Sequence, residues 1–310
     1  MPLFPEVKEG LLGTFIPFIV AALILYFDSV SSGGATNPAV FASIVIIWSI
    51  LMGGENAIKN PAKVFGLDTT PIKAFIQSIA GIGVIFIIFF SIARPASIIM
   101  PSLYSSIFPF YSPIQATSVQ FGVSPAWYSF FSTMPTSYYI IFFMLIAVFE
   151  EFLKIVGVKR MANTLYDKYG INAGRSVAIS LIVVYAAWIM LHFASWGGIT
   201  PLSLMTGIIY GLIFFLPYYL VGEPLESPDP EIQWNSIKNF TPISAHFTWD
   251  ILVALMQLGI ISGISVVSGT FFGIMFFGAA IILAFLYKKT NGFASLRSEP
   301  VGWKQPVGGW

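Results

Sequence analysis

Hydrophobic positions along the chain fall in long, nearly unbroken blocks separated by short polar breaks, with little period-two alternation. The blocks lie at 11–27, 38–53, 73–93, 137–157, 177–197, 202–221, 242–262 and 266–287. Most approach the roughly 20 residues that an α-helix needs to cross the hydrocarbon core of a bilayer, 38–53 being the shortest. Only helices and closed barrels satisfy their backbone groups in lipid, and continuous apolar blocks do not fit the alternating barrel pattern. The pattern predicts an all-α fold, a polytopic membrane helical bundle with about eight transmembrane helices.

Three segments break the pattern. Residues 94–136 carry six prolines and many aromatics, too apolar for a solvated loop, and are expected to lie along the outer interface or dip back into the bundle. Residues 221–241 form an acidic inner loop, and the tail after Lys289 is polar with Gly and Pro. The expected organisation is an N-terminal three-span region with its long outer segment (1–136), a membrane core (137–263), and a last span with a polar tail (264–310). No internal repeat of the kind that builds duplicated transporters is visible.

Composition agrees with this class: 56% of residues are hydrophobic and 9% charged, with a mean hydropathy of +0.83, against about 25% charged in soluble domains. Basic residues then set the orientation. With both termini in the cytoplasm, only Arg94 of the 15 Lys and Arg residues falls outside, as the positive-inside rule requires. The basic residues are spread over inner segments and not clustered, so the net charge of +1 gives no footprint for nucleic acid. The opening "MPLFPEVKEG" has no basic stretch, and no small-residue cleavage site follows the first block, so a signal peptide is not expected. The absence of cysteine removes disulfides, thiolate catalysis and zinc–thiolate sites.

Against this background the stretch "AVFEEFLKIV" (147–156) is anomalous. Each charged side chain at bilayer depth costs about 2.5–3.5 kcal/mol on the lenient insertion scale, yet Glu150, Glu151 and Lys154 stand within five residues. The two histidines of the chain, His192 in "WIMLHFASW" and His246 in "SAHFTWD", also fall in spans, and Asp250 follows His246 by four residues on the same helix face. The buried ionisable groups thus gather on the fourth, fifth and seventh spans. Gly170 is a natural helix stop and the next helix can start near Ala173. An antiparallel hairpin turning near residue 171 sets position 150 opposite 192, each 21 residues from the turn. Counting from the apolar boundaries instead puts His192 about 10 Å further out. Simpler readings stand beside a functional one: Glu150–Lys154 as an i,i+4 ion pair snorkelling to the surface, His192 as a packed ring among Trp188, Phe193 and Trp196, and His246 as a bundle hydrogen-bonder. "GTFFG" (269–273) reads as helix packing.

Chemically, paired glutamates with two histidines and an aspartate in a membrane cavity suit the activation of water. A carboxylate kept from bulk water beside another is a better base near neutral pH, and a histidine can share or relay its proton. Histidine and a protonated carboxyl can donate to the oxyanion of a tetrahedral intermediate. Glu150, His192, His246 and Asp250 also offer the donor types that zinc takes. There is no HExxH and no GxGD.

The order Glu-Glu-x-x-Lys, aromatic-x-x-x-His and His-x-x-x-Asp on three spans resembles the CPBP superfamily of membrane endopeptidases, which includes CAAX prenyl endopeptidases, bacteriocin-processing Abi proteins and PrsW proteases. "EEFLK" (150–154) is similar to the PrsW form of the first motif. "WIMLH" (188–192) resembles the CAAX-type FxxxH with Trp for Phe, and "HFTWD" (246–250) resembles HxxxD, where CAAX-type enzymes carry Asn at the position of Asp250. The resemblance covers residues 150–250. It implies a catalytic core of spans four to seven, with Glu150 as base, His192 assisting, and His246 with Asp250 stabilising the oxyanion; beside it, adjacency assigns Glu151 to the catalytic set as the group that tunes Glu150, with Lys154 in support. The expectation is an intramembrane endopeptidase acting on a membrane-associated protein or peptide. The competing expectation is a non-enzymatic membrane protein, an ion-coupled transporter or a scaffold subunit.

Overall fold

The computed structural model describes residues 2–32, 36–88, 135–195 and 239–257. Among these residues the chain is all-helical. Its helices are α1 (Leu11–Ser31), α2 (Pro38–Gly53), the short α3 (Glu55–Lys59) and α4 (Pro61–Val64), α5 (Pro71–Ile88), α6 (Thr136–Tyr169), α7 (Ala173–Ser195) and α8 (Phe240–Gln257). The blocks at 202–221 and 266–287, the segment 94–134, most of the acidic loop, "GTFFG" and the polar tail lie outside the described residues. Two helical stretches, Leu11–Ser31 and Ala173–Ala194, are long and apolar enough to cross a membrane, with mean hydropathies of 2.1 and 2.2. α2 is apolar but shorter.

Helix ends follow local chemistry. Asn37 caps α2 by accepting from the Ala39 amide at 2.9 Å, and Pro38 opens the first turn, where its missing N–H costs nothing. α6 outruns its apolar block by about three turns, through the polar "VKRMANTLYDKY", and stops where Gly170 takes the left-handed conformation (φ 64°, ψ 20°). Asn172 then accepts from the Arg175 amide at 2.9 Å, starting α7. The 136–195 stretch is therefore the helical hairpin that the glycine stop predicts.

α6 is the axis of the fold. It packs against α7, α2, α8 and α1, while α5 pairs with α8 and α1 with α7. Residues 150–159 are accordingly buried on every face, which explains how charged residues persist there: they face protein and not lipid. Two close crossings tighten the bundle. A methyl group on Gly81 of α5 would overlap Ser244 Oγ and the Thr241 carbonyl of α8, and one on Gly157 of α6 would lie 3.2 Å from a Val184 methyl of α7.

The N-terminal segment is tied to the far end of α6. Asn163, buried, accepts from the Phe4 amide at 2.8 Å and donates to the Phe4 and Val7 carbonyls at 2.8 and 3.1 Å. Lys159 binds Glu6 Oε1 and the Lys63 carbonyl at 2.6 Å each. Leu3, Phe4 and Val7 are buried in the core, so this strap combines apolar burial with pairing of the Phe4 and Val7 backbone, as buried main chain requires.

Candidate functional site

Glu150, Glu151 and Lys154 come from the middle of α6, Trp188 and His192 from the last turns of α7, and His246 and Asp250 from the first three turns of α8. All are brought together. The hairpin register, and not the count from apolar boundaries, describes their depth: His192 Nε2 lies 3.9 Å from Glu150 Oε2.

The Glu150 carboxylate is 2% exposed as a residue and is approached from two other helices at one oxygen. Trp188 Nε1 donates to Oε2 at 2.6 Å. His192 Nε2 and His246 Nε2 stand 3.9 and 3.6 Å from the same atom. His192 Nδ1 lies 3.0 Å from the Trp188 carbonyl. A carbonyl only accepts, so the neutral ring carries its proton on Nδ1 and presents the Nε2 lone pair toward Glu150. The Phe41 ring of α2 meets His192 edge-on at 5.6 Å between centroids.

Glu151 occupies a different electrostatic world. It is fully buried and forms an ion pair with Lys154, also fully buried. The same oxygen, Oε1, faces His246 Nδ1 at 2.7 Å. Lys154 lies 4.3 Å from the centre of the Trp188 ring and 5.1 Å from that of Tyr185, within cation–π range. The Lys154 pair is thus made with the residue three before it and not with Glu150 four before it, and it does not snorkel. The residue one place along the helix, about 100° round, has the better approach to the ammonium.

His246 bridges the two arrangements. With Nδ1 held by Glu151, its Nε2 points at Glu150 Oε2 and at Asp250 Oδ2, 3.6 Å from each. The His192 and Asp250 side chains are 18% and 15% exposed, whereas those of Glu150, Glu151 and His246 are below 5%. His192 and Asp250 are thus the partly exposed members of the cluster. Zinc was the candidate metal for Glu150, His192, His246 and Asp250, but among the described residues no group of three or more such side chains is disposed to hold a metal ion. Their nitrogens and oxygens are turned to each other, to Trp188 and to Glu151.

The sequence places Trp188 as a packing neighbour of His192 and as the aromatic of "WIMLH", without a role toward Glu150. Its indole N–H is a Glu150 partner, and the signal was in view: tryptophan stands where the CAAX-type motif has phenylalanine, adding one donor to an otherwise apolar position. Phe41, on a helix outside the matched motifs, carried no signal.

The described residues define a class, a helical bundle with a buried carboxylate–histidine centre built from three helices. No protein-family model, no curated protein and no solved structure matches the chain.

Proposed function

We propose that the chain is an intramembrane endopeptidase that cleaves a peptide bond in a membrane-associated protein or peptide with a glutamate-activated water. The observation that carries this reading is the isolation of Glu150. Among the described residues it is a buried carboxylate whose one hydrogen bond comes from the neutral Trp188 indole, flanked by two imidazoles from separate helices, while the neighbouring Glu151 pairs with the lysine. A base must keep its lone pair for the proton it abstracts. In this reading a water hydrogen-bonded to Glu150 and His192 loses a proton to Glu150 as its oxygen adds to the scissile carbonyl carbon. The carbonyl oxygen becomes an oxyanion that accepts hydrogen bonds from Asp250 in its acid form and from the Nε2–H of His246 as an imidazolium, whose Nδ1–H the Glu151 carboxylate accepts. Collapse breaks the C–N bond, and the proton held by Glu150 passes to the leaving amine. The similarity of "EEFLK", "WIMLH" and "HFTWD" to the CPBP motifs supports the same roles. With it come eight spans, both termini in the cytoplasm, and the exposed edge of the site facing the substrate.

A second reading, proton-coupled transport, is favoured by the set of three carboxyls and one ammonium gathered inside the helical bundle, the inventory of a proton relay. One experiment separates the two. Purified protein in vesicles is given a library of membrane-anchored peptides and, in parallel, a pH gradient with entrapped dye. Cleavage products by mass spectrometry that fall at least about 100-fold with Glu150→Gln support the endopeptidase. Proton flux without cleavage overturns it.

A further inference from the structure

Trp188 is the side chain around which the centre is organised. Its indole N–H donates to Glu150 Oε2 at 2.6 Å, its ring packs at 4.1 Å between centroids against His192, and its face lies 4.3 Å from the Lys154 ammonium. Its own carbonyl meets His192 Nδ1 at 3.0 Å. Among the described residues, this indole gives Glu150 its one hydrogen bond. Among the described residues, the charged and titratable groups facing Glu150 or its partners are Glu151 and Lys154 on α6, Tyr185 and His192 on α7, and His246 and Asp250 on α8. α2 adds only the Phe41 ring. The two imidazoles stand beyond hydrogen-bond distance of Glu150 Oε2, so neither fixes the rotation of the carboxylate. Lys154, spaced one turn from Glu150 and able to pair with it, lies instead against the indole and pairs with Glu151.

We propose that Trp188 is the positioning residue of the Glu150 base: its indole N–H fixes the carboxylate toward the two histidines, and its ring face keeps the Lys154 ammonium on Glu151. This rests on the reading of Glu150 as the base and adds a residue that the base requires. A phenylalanine at this position keeps the ring and loses the donor, so the two contributions separate chemically. Removing a hydrogen bond to a charged acceptor is worth about a 10- to 100-fold change in the property that depends on it.

The test uses the full chain in vesicles and two replacements at position 188: Trp188→Phe, and a genetically encoded benzothienylalanine that keeps the indole shape with sulfur in place of N–H. The first readout needs no substrate. Dicyclohexylcarbodiimide, an apolar reagent for protonated carboxyls, is applied at fixed pH, and its addition at Glu150 and at Glu151 is localised by fragmentation mass spectrometry. Both replacements should speed labelling of Glu150 about tenfold or more and leave Glu151 unchanged. The second readout is turnover of a cleaved peptide, where kcat should fall about 10- to 100-fold with KM within about twofold. Unchanged Glu150 labelling in both variants overturns the proposal. So does a loss with phenylalanine that the sulfur analogue does not share, because shape and not the donor would then be responsible. If no peptide is cleaved by the wild type, the endopeptidase reading falls, and carbodiimide labelling still decides the role of Trp188.

Discussion

Replacing Glu151 by glutamine removes one charge from the best-buried ion pair of the described chain and keeps the shape of the side chain. Lys154 is fully buried and Glu151 is its carboxylate partner. The remaining ammonium would keep only the rings of Trp188 and Tyr185 at 4.3 and 5.1 Å, a cation–π contribution of about 2 kcal/mol when desolvated. Breaking a buried pair from one side costs about 3–5 kcal/mol because the other charge stays uncompensated. Glu151→Gln should therefore lose about 3–5 kcal/mol of unfolding free energy, and Lys154→Met a similar amount. The double variant removes both charges and should recover about 1–3 kcal/mol of the summed loss, the size of coupling expected between contacting residues. The assay is reversible unfolding of the purified protein in mixed micelles against rising SDS, followed by tryptophan fluorescence. Additive single losses, or a single loss below about 1 kcal/mol, would refute the pairing and the division of labour built on it. This outcome differs from the role that adjacency alone gives Glu151, the tuning of Glu150: the geometry assigns it to Lys154 and His246.

Glu150→Gln and His192→Ala should each lower turnover at least about 100-fold while changing unfolding free energy by less than about 1 kcal/mol, checked on the same SDS titration. Asp250→Asn should keep most activity and extend it to higher pH, because an aspartic acid donates to an oxyanion only while protonated and asparagine donates at any pH; a pH–rate profile reads this, and strong inhibition by a chelator reversed by added zinc would contradict it. Asn163→Ala deletes three hydrogen bonds of 2.8–3.1 Å and orphans buried backbone of Phe4 and Val7, so a loss of about 2–4 kcal/mol is expected, measurable together with faster proteolysis of residues 2–9.

Much of this geometry was legible in the chain because it depends on counting. Gly170 and Asn172 fix the turn of the hairpin, and the 21 residues on either side bring 150 to the depth of 192. Asn37 and Pro38 mark the start of α2 in the same local way. What counting does not give is the rotation of a side chain about the helix axis and its choice between two partners at similar reach. Glu150 and Glu151 both lie within a turn of Lys154, and only the crossing of α7 and α8 over α6 decides that the ammonium goes to Glu151 and the indole to Glu150. The N-terminal strap was invisible for another reason. "PLFPEV" has no helical or strand period, and its burial rests on Asn163, separated from Phe4 by 159 positions.

That strap bears on the site through the rotation of α6. At 100° per residue, Lys159 lies about 180° and Asn163 about 220° round the helix from Glu150, so the clasp grips the back of the helix whose front carries the carboxylates. Lys159 anchors there on Glu6 and the Lys63 carbonyl, and Arg160 Nη1 on the Met52 carbonyl at 2.8 Å. A rotation of α6 by one residue would exchange the surroundings of Glu150 and Glu151, putting the lysine-paired carboxylate where the lone one now stands. Two adjacent glutamates can hold opposite roles only if the helix cannot turn, and the anchors from three separate segments, the N-terminal strap, Lys63 and Met52, supply that constraint. The arrangement accounts for the polar extension of α6 beyond its apolar block: its last turns carry the grip that keeps Glu150 unpaired with lysine and facing the histidines.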